Sequence, residues 1–181
     1  MKQLMMYWKN DGTKAVKPTL PNGVTLTTFD RLENAKKEWL DIAIPGKLWP
    51  DELNNLPYPV DFYREFMTAF DIYSEDKCFF LLVNGECAAT ITILCDYKNS
   101  QGLVHMVSCK PEFRGMGLGN LLTEIGLYVL KTEGLKTALL RTDDWRIPAI
   151  KTYLKAGFTP DLTSSPDYKE RWDAIFKIIN G

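Results

Sequence analysis

The chain has one histidine, His105, and only four cysteines in 181 residues. Cys78, Cys87, Cys95 and Cys109 stand singly among apolar residues with no C-x-x-C pair. Zinc-ribbon and dithiol redox chemistry therefore have no ligand set, no metal is expected, and the thiols read as buried and reduced. An excess of either charge is also missing. Lys+Arg number 22 against 23 Asp+Glu, a net charge of -1, which excludes a broad electrostatic grip on nucleic acid or an anionic membrane. No apolar run reaches the length of a membrane span. Leu4 to Trp8 is too short for a secretory hydrophobic region and has no small-residue cleavage site behind it. Internal repeats and low-complexity stretches are absent too, so nothing divides the chain. The expectation is a soluble, cytoplasmic, single domain over residues 1–181, large enough to bury a core without disulfides or metal.

What is present alternates between sheet and helix signals. Residues 1–22 hold Asn10, Gly12, Pro18 and Pro21 and read as an irregular arm. A strand is predicted at Val24 to Thr28, then a helix capped by Asp30 with Leu32, Ala35, Trp39, Leu40 and Ala43 at the 3.6-residue period. Four prolines between Pro45 and Pro59 make that segment a loop, and Asp61 opens a second helix through Tyr63, Phe66, Met67 and Phe70. Cys78 to Val83 and Cys87 to Cys95 flank Asn84-Gly85, a strong hairpin signal, and a third strand over Gly102 to Cys109 completes a meander. After it come a helix ending at Gly134, a strand at Ala138 to Thr142, a helix with Pro148 in its first turn and Gly157 past its end, and an amphipathic segment from Arg171 to Ile179 that favours helix.

The chemistry concentrates between Val107 and Gly119, reading V-S-C-K-P-E-F-R-G-M-G-L-G. A strand breaks at a proline and meets three alternating glycines, Gly115, Gly117 and Gly119, just before a helix. Glycines there let the backbone approach a ligand closely, and the first N–H groups of the helix have no partners of their own, so the turn suits a phosphate. Arg114 adds a permanent positive charge at its mouth. No G-K-[ST] follows for a nucleoside triphosphate, and the glycine spacing is not that of a dinucleotide fingerprint.

The R-x-x-G-x-G spacing, with V-x-x-P-E-F-R before it and the Y-L-x-x-x-G-F of Tyr153 to Phe158 after it, resembles the GNAT superfamily of N-acetyltransferases. The likeness covers roughly residues 100 to 160, about a third of the chain. It implies an α/β fold with a mixed, mostly antiparallel central sheet flanked by helices, and acetyl-CoA as acyl donor. By that resemblance Arg114, Gly115, Met116, Gly117, Leu118, Gly119 and Asn120 hold the CoA diphosphate, and backbone groups of Val107 and Cys109 lie along the pantetheine arm. His105 falls where the family often places a general base, a role a neutral imidazole fills near pH 7. Strand alternation puts His105, Val107 and Cys109 on one face. Tyr153 aligns with the family's tyrosine that protonates the departing thiolate. One position departs from the pattern: Arg146 stands where an asparagine is usual, leaving open a CoA phosphate, an acidic acceptor or solvent as its partner.

The family's acceptor loop corresponds here to the segment carrying Trp49, Asp51, Glu52 and Tyr58, whose aromatics and acids suit a cationic amine. The resemblance thus implies acetyl transfer to a primary amine of a small molecule by direct attack. Acetylation of a protein N-terminus or lysine, and a CoA-binding module without catalysis, stay open, as does a homodimer.

Overall fold

In the computed structural model, which describes residues 2–48 and 61–181, seven strands form one sheet in the order β2-β3-β4-β5-β6-β1-β7. Its strands are β1 (Leu4–Lys9), β2 (Val24–Thr28), β3 (Cys78–Val83), β4 (Glu86–Asp96), β5 (Gln101–Cys109), β6 (Thr137–Thr142) and β7 (Thr159–Pro160). All neighbours are antiparallel except β5 and β6. That one parallel pair needs a crossover, supplied by helix α2 (Leu118–Thr132), which packs across β4 and β5. Three further helices are α1 (Ala35–Ala43), α3 (Ile147–Lys155) and α4 (Tyr168–Asn180).

Alternation along β3 assigns the two faces of the sheet. Cys78 and Phe80 point into a cluster with Trp39, Ile42 and Met67, while Leu81 and Val83 join the larger core beneath α2 with Leu118, Leu122 and Ile125. The expected punctuation is in place. Asn84 and Gly85 both take positive φ, 50° and 89°, as the two-residue hairpin demands. Gly134 and Gly157 end α2 and α3 with φ of 69° and 89°. In both, the N–H two residues past the last turn returns to the helix, Leu135 to the Leu130 carbonyl and Phe158 to that of Tyr153.

Two expectations are corrected. The irregular arm begins with a strand: β1 lies inside the sheet, between β6 and β7, with Leu4, Met6 and Trp8 buried and Tyr7 and Lys9 exposed. Its period of two outweighs the turn residues behind it, and among the described residues of the arm it is 2–3 and 10–23 that lack regular structure. Asp30 does not cap α1 either. It sits in a short 3-10 turn over Phe29–Arg31, and the helix starts four residues later, behind Asn34 at φ 56°. Asp61 does act as a cap, accepting the Arg64 N–H at 3.1 Å, although the segment it opens is π-helical over Arg64–Thr68.

Candidate active site

The site begins where the sheet stops being continuous. β5 and β6 pair only from Gln101–Thr137 to Val104–Leu140 and then part. At the same height β5 carries a bulge against β4: Ser108 faces Thr90 and His105 faces Thr92, so Met106 and Val107 together oppose Ile91. Met106 absorbs the extra residue with φ of 50°. The bulge overturns the expected alternation. His105 points to the α1 side with Phe66 and Phe70, Met106 packs on that side too, and Val107 and Cys109 pack into the core beneath α2.

Between the parted strands lies a cleft of about 580 Å³ lined from both faces of the sheet. Glu65, Phe66, Phe70, His105 and Met106 contribute from the α1 side, and Val107, Thr142, Ala149 and Tyr153 from the other. The structure therefore brings His105 and Tyr153 to one cavity from opposite sides. His105 Nε2 lies 2.6 Å from the Phe66 carbonyl. A carbonyl only accepts, so Nε2 carries the proton and Nδ1 keeps its lone pair. Burial pushes the His105 pKa below its ordinary 6.5, and the neighbouring Arg141 charge adds to the effect. Tyr153 is buried, meets Phe158 edge-on at 6.1 Å, and has its pKa pushed up to about 12 by burial, partly offset by Arg146. Its hydroxyl has no hydrogen-bond partner among the described residues.

Beyond β5 a 3-10 turn over Pro111–Phe113 leads into the glycine loop. Gly115 and Gly117 take φ of 83° and 77°, the second as the N-terminal boundary of α2 with no side-chain cap. A Cβ built on Gly115, Gly117 or Gly119 would meet no atom within 4 Å, so open space faces all three. Leu118, Gly119 and Asn120 lie in the first turn, where N–H groups have no intrahelical acceptor. The side chain of Leu118 is buried while those of Arg114, Met116 and Asn120 are exposed. Cys109 sits just upstream with its thiol pKa raised by burial, directed at the Lys110 carbonyl, which marks it as inert.

Arg146 precedes α3 and is anchored on both sides. Its Nε bonds Asp143 at 2.8 Å, one Nη bonds the Lys47 carbonyl at 2.6 Å, and its plane lies 4.3 Å from the Trp145 ring centroid. It thus joins the turn after α1 to the β6–α3 loop across the rim of the cleft. Trp49, Asp51, Glu52 and Tyr58 lie outside the described residues.

Sequence reasoning missed several lining residues. Arg141, Thr142 and Glu65 all face the cleft. Thr142 Oγ1 is buried and has no partner among the described residues. Gln3, just before β1, donates to Asp143 at 3.2 Å and also lines the cleft. Their only signal was position next to a strand end or helix start, which singles out no residue type.

The glycine cradle and the unpaired Thr142 hydroxyl fit a long, phosphate-bearing molecule laid beside β5. Comparison with known proteins points the same way. A model of the acetyltransferase (GNAT) family matches residues 49–158. Mycothiol acetyltransferase of Streptomyces griseus is 33% identical over 143 residues, covering 78% of this chain and 45% of that protein. The Thermomonospora curvata protein of the same name is 27% identical over 141 residues, covering 78% and 46%. The chain thus spans a little under half the length of these curated relatives. In fold it is similar to a GCN5-related N-acetyltransferase from Sphaerobacter thermophilus, with a TM-score of 0.64 at 16% identity over 88% of this chain and 49% of that one. It is also similar to the ribosomal-protein-S18-alanine N-acetyltransferase from Escherichia coli, with a TM-score of 0.57 at 20% identity over 75% and 77%. With well over half its residues inside the family match, the chain belongs to the acetyltransferase (GNAT) family.

Proposed function

We propose that this chain transfers an acetyl group from acetyl-CoA to the primary amine of a small molecule, by direct attack with both substrates bound. The observation that carries this reading is the gap in the sheet: one cavity reached from two faces, with a neutral imidazole on one and a protonated phenol on the other. The name of the curated relatives, mycothiol acetyltransferase, supports a small-molecule acceptor.

Gly115 to Asn120 would hold the donor's diphosphate through backbone N–H groups, with the exposed Arg114 adding charge at the mouth. Backbone at Val107, in the bulge, and at Cys109 beyond it would accompany the pantetheine arm, and the Thr142 hydroxyl offers it a free hydrogen-bonding group. Acetyl-CoA supplies a thioester, an acyl group already activated for transfer. His105 holds Nδ1 free on the α1 side, ready to take the proton an ammonium must lose before its nitrogen becomes a nucleophile. Tyr153 keeps its proton on the other side and would donate it as a hydrogen bond to the departing sulfur; because a phenol is a weaker acid than a thiol, full transfer runs uphill and is completed by solvent returning a proton to the phenolate. Arg146 is already committed to Asp143 and Lys47, so we assign it to shaping the cleft rim.

Calorimetric titration with acetyl-CoA, followed by a spectrophotometric screen of amines for thiol release, tests the proposal. Saturable binding and amine-dependent release are expected. Binding without release for any amine would leave a CoA-binding module in place of an enzyme.

A further inference from the structure

Not every charge in the cleft has a partner among the described residues, and the two without one describe the acceptor. Asp143 is paired with Arg146 and Gln3, and Arg146 is satisfied by Asp143 and the Lys47 carbonyl. Two charged groups are left: Arg141 and Glu65, both exposed, both lining the cleft, and neither ion-paired among the described residues. Arg141 occupies a particular place. Val104–Leu140 is the last pair of the parallel ladder, so His105 and Arg141 are the next residues on each strand, side by side where the strands part. Equivalent residues of neighbouring parallel strands project to the same face. Arg141 therefore stands beside His105 on the α1 side, with Glu65 facing the same space from the π-helical segment.

A permanent cation next to the base repels a purely cationic amine. It favours an acceptor whose own anion answers it. Resting on the acyl-transfer reading above, we infer that the acceptor is an amino acid or amino-acid-like molecule, its carboxylate held by the Arg141 guanidinium and its ammonium drawn toward Glu65 beside His105. A planar guanidinium pairs a carboxylate through two parallel N–H···O bonds and so fixes the orientation of the amine a few bonds away. Phe66, Phe70 and Trp145 around the same space offer apolar contact to the remainder of the molecule.

The test compares L-phenylalanine, L-leucine and L-methionine with their carboxamides and with the corresponding decarboxylated amines, which bracket the basicity of the attacking nitrogen. O-Phosphoethanolamine is included as a phosphate-bearing arm. Each is titrated calorimetrically into the CoA-saturated protein and assayed for thiol release with acetyl-CoA. Expected is a preference of about 10- to 100-fold for the carboxylates, the value of a charge-assisted hydrogen-bond pair. That preference should collapse in Arg141→Gln, invert in Arg141→Glu and partly return in Arg141→Lys. Equal binding of acids and amides, or a loss in Arg141→Gln that is the same for both, overturns the inference. A preference for the phosphate compound overturns the carboxylate assignment, and weakened acetyl-CoA binding in Arg141→Gln assigns the residue to the donor instead. Arg141-dependent binding of the carboxylates without thiol release would uphold the anion site and overturn the transfer reading alone.

Discussion

Gly119→Glu separates the two duties of the glycine loop, because we assign this glycine to the ligand while the fold does not require it. Gly119 is the second residue of α2, takes no positive φ, and has no atom within 4 Å of an added Cβ. A glycine in a helix costs about 1 kcal/mol against an ordinary residue, and an acid in the first turn gains about 0.3–1 kcal/mol from the helix dipole. The substitution should therefore stabilise the protein by about 1.3–2 kcal/mol, raising the unfolding midpoint by about 3–8 °C at this chain length. The same carboxylate fills the space assigned to the donor's diphosphate and brings like charge to it. Losing two charge-assisted hydrogen bonds at about 1.5–3 kcal/mol each weakens acetyl-CoA binding by about 3–6 kcal/mol, more than 100-fold. Gly117→Glu, at φ 77°, should lose both affinity and stability, since a side chain there costs about 1–2 kcal/mol in backbone strain. Thermal unfolding followed by circular dichroism and calorimetric titration read the two effects separately. Wild-type affinity in Gly119→Glu would refute the loop as the donor site, and a lower midpoint would refute the account of the helix start.

Tyr153→Phe should lower turnover about 100-fold, within the usual range for a general acid, with acetyl-CoA affinity within twofold of wild type by titration. Burial disfavours the imidazolium of His105, so its base form persists as pH falls through 6.5. The acid limb of kcat/KM should therefore lie below pH 6.5 and vanish in His105→Ala, while Tyr153, protonated to about 12, adds no alkaline limb at ordinary pH. An acid limb that survives His105→Ala removes the base role. Gly102→Ala should destabilise by about 1–3 kcal/mol through overpacking, because the new Cβ falls 2.2 Å from Leu130 Cδ2 and 3.3 Å from Leu135 Cδ1; an unchanged denaturation midpoint would mean that α2 stands off from β5.

Local signals made most of the frame legible. Asn84-Gly85, Gly134 and Gly157 need conformations that few residues supply, and the helical stripe of Leu118, Leu121, Leu122, Ile125 and Val129 has one way to be buried. The glycine loop was legible for the same reason. What escaped depended on distant parts of the chain. β1 is a strand because β6 and β7 offer edges more than 125 residues away, and a six-residue alternation beside turn residues does not announce such partners. Arg141 and Glu65 are ordinary surface charges in sequence; only the parting of β5 from β6 and the approach of the π-helical segment make them neighbours of His105.

The bulge at Met106 explains how one strand serves two faces. Strict alternation would place Val107 with His105, and the base we propose would then share a side with the stretch we assign to the donor. One extra residue opposite Ile91 shifts the parity. His105 stays with Phe66 and Phe70, while Val107 and Cys109 turn toward the α2 side, where the glycine loop begins. The ladder to β6 ends at Val104, just before this bulge, so the shift in parity and the opening of the cleft occur within two residues of each other. In a fully paired strand a change of face by one residue would disrupt the ladder on both sides. Here β6 has already let go, and only β4 has to accommodate it.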